Sequence, residues 1–210
     1  MNGPIIAVDG PTASGKGTIA KALAAHFGLP HLDTGLLYRA VGRQVALHGG
    51  NPDSEADALA ACDFPEHLMA DPELRSEATG GLASRVSVHP AVRDALFGLQ
   101  RAFATQAGGA VLDGRDIGTV IAPEAEVKLF VIASVAARAE RRFLEMQAQG
   151  RNASLSEIAT DLEARDYRDA SRTTAPLLAA EDAVVLDTSL LERDEAIARA
   201  IGLAELKLTS

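Results

Sequence analysis

Short apolar runs alternate with amphipathic stretches along most of this 210-residue chain. Pro4-Ile5-Ile6-Ala7-Val8 is apolar at every position from Ile5 on, the pattern of a strand buried on both faces of a sheet. Lys16 to Phe27 changes to helical spacing, with Ile19, Ala20, Leu23 and Phe27 on one face. Leu29-Pro30-His31-Leu32 predicts a second short strand. Thr34 is a candidate cap for a helix from Gly35 to about Leu47 that carries Leu37, Ala40, Val41 and Leu47. Pro90 suits the first position of a helix bearing Val92, Leu96, Leu99 and Phe103. Ala110 to Asp113, Val127 to Ile132 and Ala183 to Leu186 predict three more strands. Helices are expected from Ala136 to Gln149, from Leu155 to Ser171 and around Glu192 to Leu203. Strands alternating with helices require a parallel sheet covered on both faces. The expected fold class is therefore α/β, a three-layer sandwich around a central five-stranded parallel sheet.

The pattern breaks once. Gly49 to Gly81 is rich in Asp, Glu, Pro and Gly and weakly periodic, which marks a short insertion in a single domain. A formal charge of −9 lacks the broad basic face that binding a nucleic-acid polymer requires. Cys62 is the only cysteine, so no internal disulfide is possible. His26, His31, His48, His67 and His89 show no metal-ligand spacing and are expected to be packing or surface residues. No apolar run approaches the roughly 18 residues of a membrane span, and Met1 to Ile5 has no leader-like charge and hydrophobicity. A cytoplasmic monomer is the expectation.

Candidate chemistry starts where the first strand ends. Gly10-Pro11-Thr12-Ala13-Ser14-Gly15-Lys16-Gly17-Thr18 joins that strand to the first helix. Backbone N–H groups from Ser14 to Thr18 can converge on phosphate oxygens at the positive end of the helix. Gly15 and Gly17 permit close backbone approach, and Lys16 can reach the β- and γ-phosphates of a nucleoside triphosphate. The usual pattern places Ser or Thr directly after the lysine, on magnesium. Here Gly17 intervenes, leaving Thr18 to meet the ion directly or through water. Nothing matches the Asn-Lys-x-Asp base-reading motif of GTPases. Kinases of several small acceptors, and a nucleotide sensor without turnover, remain open at this level.

Four blocks narrow the choice. They are Asp9-Gly10-Pro11 through Thr18; Leu32-Asp33-Thr34-Gly35 with Tyr38-Arg39; Asp113-Gly114-Arg115-Asp116-Ile117-Gly118-Thr119-Val120; and Arg165-Asp166-Tyr167-Arg168-Asp169 with Arg172 and Ala175-Pro176-Leu177. In order and spacing they resemble the signature blocks of the bacterial cytidylate kinases, P-loop nucleoside monophosphate kinases. With the strands between them they cover nearly the whole chain outside 49–81. The resemblance implies transfer of the γ-phosphate of ATP to CMP or dCMP, with Mg2+, in pyrimidine nucleotide metabolism.

The resemblance assigns ATP to residues 10–18 and the acceptor phosphate to Arg39, Arg115, Arg165 and Arg172, with Asp169 on the ribose. It assigns cytosine to Ser84, Arg93 and Asp116, beside Asp33 and Tyr38. The chemistry agrees, since a carboxylate suits the exocyclic amine of cytosine and Arg or Ser donors suit its ring acceptors. Lys16, Arg115, Arg165 and Arg172 are the expected catalytic charges, and Asp113, ending an apolar strand, is with Thr18 the candidate for magnesium or its waters. In this family the insertion is usually longer and carries a small sheet; here, at about 49–81, it is short, acidic and poor in β-branched residues.

Arg165, Arg168 and Arg172 fall at i, i+3 and i+7 on one helical stripe, and Arg138, Arg141 and Arg142 cluster on the preceding helix. One reading is a solvated helix pair stitched by links such as Arg165–Asp169, worth about 0.3–0.5 kcal/mol each. Arginines gathered near a phosphate loop in a net acidic chain favour the other, a lid over about 137–172.

Overall fold

The computed structural model describes residues 3–148 and 150–209. Strands β1 (Ile5–Asp9), β2 (His31–Asp33), β3 (Ala110–Gly114), β4 (Val127–Ile132) and β5 (Val184–Asp187) form one parallel sheet in the order β2-β3-β1-β4-β5. The expected α/β class and five-stranded sheet are what the chain adopts. Alternation in β1 divides the core. Ile6 and Val8 meet Ile19 and Leu23 of α1 (Lys16–Phe27) and Ala200 of α8 (Arg193–Thr209) on one side. Ile5 and Ala7 meet Leu112, Ile117 and Ile121 on the other, with Ala104 of α5 (Pro90–Ala104).

Between β2 and α5 the chain is helical. It comprises α2 (Thr34–Leu47), α3 (Glu55–Ala60), two 3-10 turns (Glu66–Ala70 and Pro72–Arg75) and α4 (Glu77–Val86). Residues 49–81 contain no strand among those described, and α4 runs past the expected end of the insertion. Ser54 and Ser76 cap α3 and α4 through side-chain oxygens, and Leu37, Val41, Ala58, Val86 and Val92 close a separate apolar cluster. Helices α6 (Val135–Ala148) and α7 (Leu155–Ser171) form a hairpin around Ala139, Ile158 and Leu162. The expected last residue of α6, Gln149, lies outside the described residues.

Four local expectations need correction. Thr34 does not cap α2; its hydroxyl donates to the Asp113 carbonyl at 2.8 Å, tying β2 to β3. Leu47 is 54% exposed, because Val45 carries the buried stripe of α2 to its end. Leu99 is 50% exposed, because the i, i+4 stripe from Val92 and Leu96 continues through Gln100, a polar residue buried by donating to the Leu96 carbonyl. Helix α8 extends to Thr209, its alanines at 196, 200 and 204 packing flat on the core.

Candidate active site

The carboxyl ends of β1, β2 and β3 open into a cleft of about 840 Å³ that also receives α4, α6 and α7. Its floor is the turn after β1. Gly10 has φ 151°, and a Cβ there would lie 2.1 Å from the Val131 carbonyl oxygen, so only glycine fits. Ala13 and Gly15 take positive φ of 62° and 91°, and no side chain caps the start of α1. The N-terminus of α1 therefore faces the cleft, with the Thr18 amide bonded to the Gly15 carbonyl at 3.1 Å and the Lys16 and Gly17 amides left to an anion. Lys16 is half-buried there, rather than exposed, with its ammonium donating to the Pro11 carbonyl at 3.2 Å. Burial, and then the neighbouring Arg115, lower its pKa from 10.5 to about 8. Thr12, Ala13 and Gly17 line the same wall, and Thr18 is exposed beside them.

Asp113 stands above Gly17. A Cβ on Gly17 would lie 3.5 Å from its Oδ2, in ordinary van der Waals contact, so the two residues are neighbours. Its Oδ1 pairs with His31 Nε2 at 2.7 Å, giving His31 a place in the site that the sequence did not disclose. Asp33 is the register partner of Asp113. Burial, and then the Asp113 charge, raise the Asp33 pKa.

Opposite the phosphate turn, four arginines converge. Arg39 Nη1 donates to the Leu74 and Ser76 carbonyls, at 2.8 Å each, which hold it from the insertion. Arg39 and Arg165 both press on Gly80, where a Cβ would meet their Nη2 atoms at 2.9 and 3.1 Å. Arg165 Nη2 donates to the Gly80 carbonyl, while its Nε is buried with no partner among the described residues. Arg172 donates to the Ala175 carbonyl, and its Nη2 is likewise buried and unpartnered. Burial, followed by mutual repulsion, lowers three of these pKa values: Arg39 to about 10 beside Arg165, Arg165 beside Arg115, and Arg172 beside Arg93. Arg115 behaves differently. Burial pulls its pKa down, but its ion pair with Asp169 outweighs that and raises it.

The Arg165–Asp169 link of the solvated-helix reading is absent from the described ion pairs, because Asp169 is taken by Arg115 and Arg165 has Asp161 at 3.9 Å. The expected stripe is also cut short: α7 ends at Ser171, and Arg172 caps it in extended geometry, ψ 141°. Arg115 continues from Asp169 to Thr12, whose Oγ1 accepts from Nη2 at 2.6 Å, so one side chain spans phosphate turn, β3 and α7.

Farther in, Arg93 of α5 pairs with Asp116, and the Arg93 guanidinium lies 5.6 Å from the centroid of the Tyr38 ring. Burial is the main cause that raises the Tyr38 pKa. Ser84 is in the interior of α4, not at a cap, and its Oγ accepts from Arg168 Nε at 3.3 Å. Ser84, Arg93, Asp116 and Tyr38 thus share one end of the cleft. On the opposite side Arg138 ties α6 to the phosphate turn, donating to the Thr12 carbonyl at 3.1 Å and forking onto Asp166 at 3.0 and 2.5 Å. Arg141 grips the Thr188 carbonyl at 2.5 Å, and Thr188 Oγ1 donates to the Ser14 carbonyl at 3.0 Å. The arginine cluster was visible in the sequence, but Thr188 carried no signal there.

A family model described as cytidylate kinase matches residues 6–206. Proteins named cytidylate kinase are similar along nearly their full lengths. One from Cereibacter sphaeroides is 54% identical over 202 residues, 96% of this chain and 95% of its own. One from Xanthobacter autotrophicus is 51% identical over 204 residues, 97% and 98% respectively. A third, from Granulibacter bethesdensis, is 55% identical over 198 residues, 93% and 94%.

Proposed function

This chain belongs to the cytidylate kinase family, and from that premise we propose that it transfers the γ-phosphate of ATP to CMP or dCMP, with the cleft divided as follows. The observation that carries the division is the pair of buried, unpartnered guanidinium atoms, Arg165 Nε and Arg172 Nη2, in the cleft that also contains the Lys16 ammonium. Buried donors without acceptors cost about 1–3 kcal/mol each, and an anionic ligand there recovers that cost.

The ATP phosphates lie on the amides of 14–18, with Lys16 on the β- and γ-phosphates. The acceptor phosphate lies among Arg39, Arg115, Arg165 and Arg172. Those cations draw two anions together and offset their repulsion while the acceptor oxygen attacks in line and ADP departs. No general base is required, because that oxygen is already ionised near neutral pH. Asp169 takes the ribose, with its ion pair to Arg115 fixing its orientation. Ser84, Arg93 and Asp116 read cytosine, beside Tyr38 and Asp33.

The oxygen donors beside the phosphate turn suit Mg2+. Asp113 and Asp33 are adjacent carboxylates; burial, and then their repulsion, raise the Asp33 pKa, and a hard cation would relieve that repulsion. Among the described residues no three His, Cys, Asp or Glu side chains converge as a self-sufficient metal cage. Asp113, and Thr18 through water, would help to hold the ion beside the phosphate turn, where it would supply charge neutralisation during transfer.

Helices α6 and α7, about 137–172, act as a lid that excludes water, and the insertion at about 49–81 acts with Arg39 on the acceptor. The working unit is proposed to be a cytoplasmic monomer acting on small nucleotides, without a nucleic-acid polymer or a membrane; no helix is long and apolar enough to cross a membrane among the described residues. A coupled assay for ADP with CMP, dCMP, UMP, AMP and shikimate tests the activity. Rapid turnover with CMP and dCMP alone is expected, and ATP binding without acceptor-dependent ADP would overturn it.

A further inference from the structure

The turn Ile117–Ile121 begins just after the two residues assigned to the acceptor, Arg115 and Asp116. A helical turn leaves its first amides without partners, and the preceding Asp ordinarily caps them. Here Asp116 occupies the cap position but makes no side-chain cap bond, because its carboxylate is committed to Arg93. The missing acceptors come from another strand. Asp9, the last residue of β1, accepts from Ile117 N at 2.9 Å with Oδ1 and from Gly118 N at 2.8 Å with Oδ2. It is buried and is the register partner of Gly114.

We infer that Asp9 is a positioning residue that caps this turn in place of Asp116, leaving the Asp116 carboxylate on Arg93, where the pair faces the acceptor base. The inference rests on the reading that Asp116 meets the base. Asp9 has no other role in the cleft: its described hydrogen bonds go to Ile117 and Gly118, not to the phosphate turn that follows it. Without it, the nearest carboxylate able to cap the turn is that of Asp116 itself, at the cost of the bond to Arg93. Such a swing would weaken base selection while leaving ATP binding in place. The groups facing Asp9 are Asp116, whose charge repels it, Lys16, which attracts it, and the Lys128 stem packed on Gly118. Burial outweighs the two amide bonds and raises its pKa from 3.8 to about 7.

Asp9→Asn keeps the size but turns one acceptor into a donor facing an N–H. Steady-state kinetics with CMP, UMP and ATP should show KM for CMP rising about tenfold and the CMP-to-UMP ratio of kcat/KM narrowing about tenfold, with KM for ATP within about threefold. Added to Asp116→Asn, it should narrow the ratio no further, since both changes disable one carboxylate. Parallel losses for CMP and ATP, or multiplicative effects in the double variant, would overturn the inference. If Asp116→Asn alone leaves the ratio unchanged, the base-reading assignment fails, and Asp9 is judged on the KM for CMP. Amide resonances of the ligand-free wild type give a measurement that no misfolded variant can obscure. Ile117 and Gly118 should titrate with a shared midpoint near pH 7, as protonation removes one acceptor, and the Asp116 resonances should move with them. Ile117 and Gly118 amides that titrate while the Asp116 resonances stay still leave Asp9 without this role.

Discussion

Arg93 on α5 and Asp116 after β3 form an ion pair in which each side chain is only 7% exposed. Burial of both charges makes the pair costly to break, because either partner left alone is an uncompensated charge at a cost of about 3–5 kcal/mol. The pair also presents a donor and an acceptor side by side, the arrangement that a cytosine edge requires.

Replacing Asp116 by Asn tests the second property without emptying the site. The amide can donate to uracil O4, whereas the carboxylate repels it. The CMP-to-UMP ratio of kcat/KM should narrow by at least about tenfold, or 1.4 kcal/mol, measured with saturating magnesium-ATP. Equal losses for both substrates would reassign Asp116 to the architecture around Arg115.

Lys16→Ala should reduce turnover about a hundredfold or more without lowering Tm at neutral pH. Burial and Arg115 already disfavour the charged lysine in the ligand-free fold. Because its folded pKa is depressed to about 8 from 10.5, the destabilisation is fully present below pH 8 and is relieved as pH rises toward 10.5. Catalysis needs the charged form, so kcat/KM for ATP should fall as pH rises through about 8. A profile flat to pH 9, or a marked drop in Tm for the variant, contradicts this account.

Gly10→Ala introduces a Cβ 2.1 Å from the Val131 carbonyl at φ 151°. Neither backbone can yield without breaking the β1–β4 pairing, so the variant should lose about 3 kcal/mol or more of stability. Chemical denaturation gives the value directly. A loss below about 1 kcal/mol would show that the turn relaxes.

The proposed lid is tied to the rest of the fold by Arg138 on the Thr12 carbonyl, by Arg115–Asp169 and by Arg168–Ser84, links between polar groups over a small apolar core. Such a segment opens at lower free energy than the sheet. Amide exchange across 137–172 should slow when ATP and CMP bind together, and Asp166→Asn should speed it in the free enzyme. Unchanged protection in a confirmed complex would remove the lid.

What could be read along the chain was whatever local physics dictates. The doubly apolar β1, the glycine-spaced phosphate turn and the stripe of α1 follow from nearest-neighbour spacing, and the bounds of α7 agree to the residue. The arginines and Asp116 were legible through motif blocks, since phosphate chemistry requires those residue types. Pairing was not legible. Asp169 meets Arg115 rather than Arg165, four positions away on its own helix, because packing brings α7 against the residue that follows β3. Gln100 gives no apolar signal in the sequence, because its burial depends on a carbonyl one turn back. His31 and Asp9 acquired their partners, Asp113 and the amides after Asp116, only when parallel pairing brought strands distant in sequence side by side. Sequence spacing sets what each segment can form, and long-range packing decides which charge meets which.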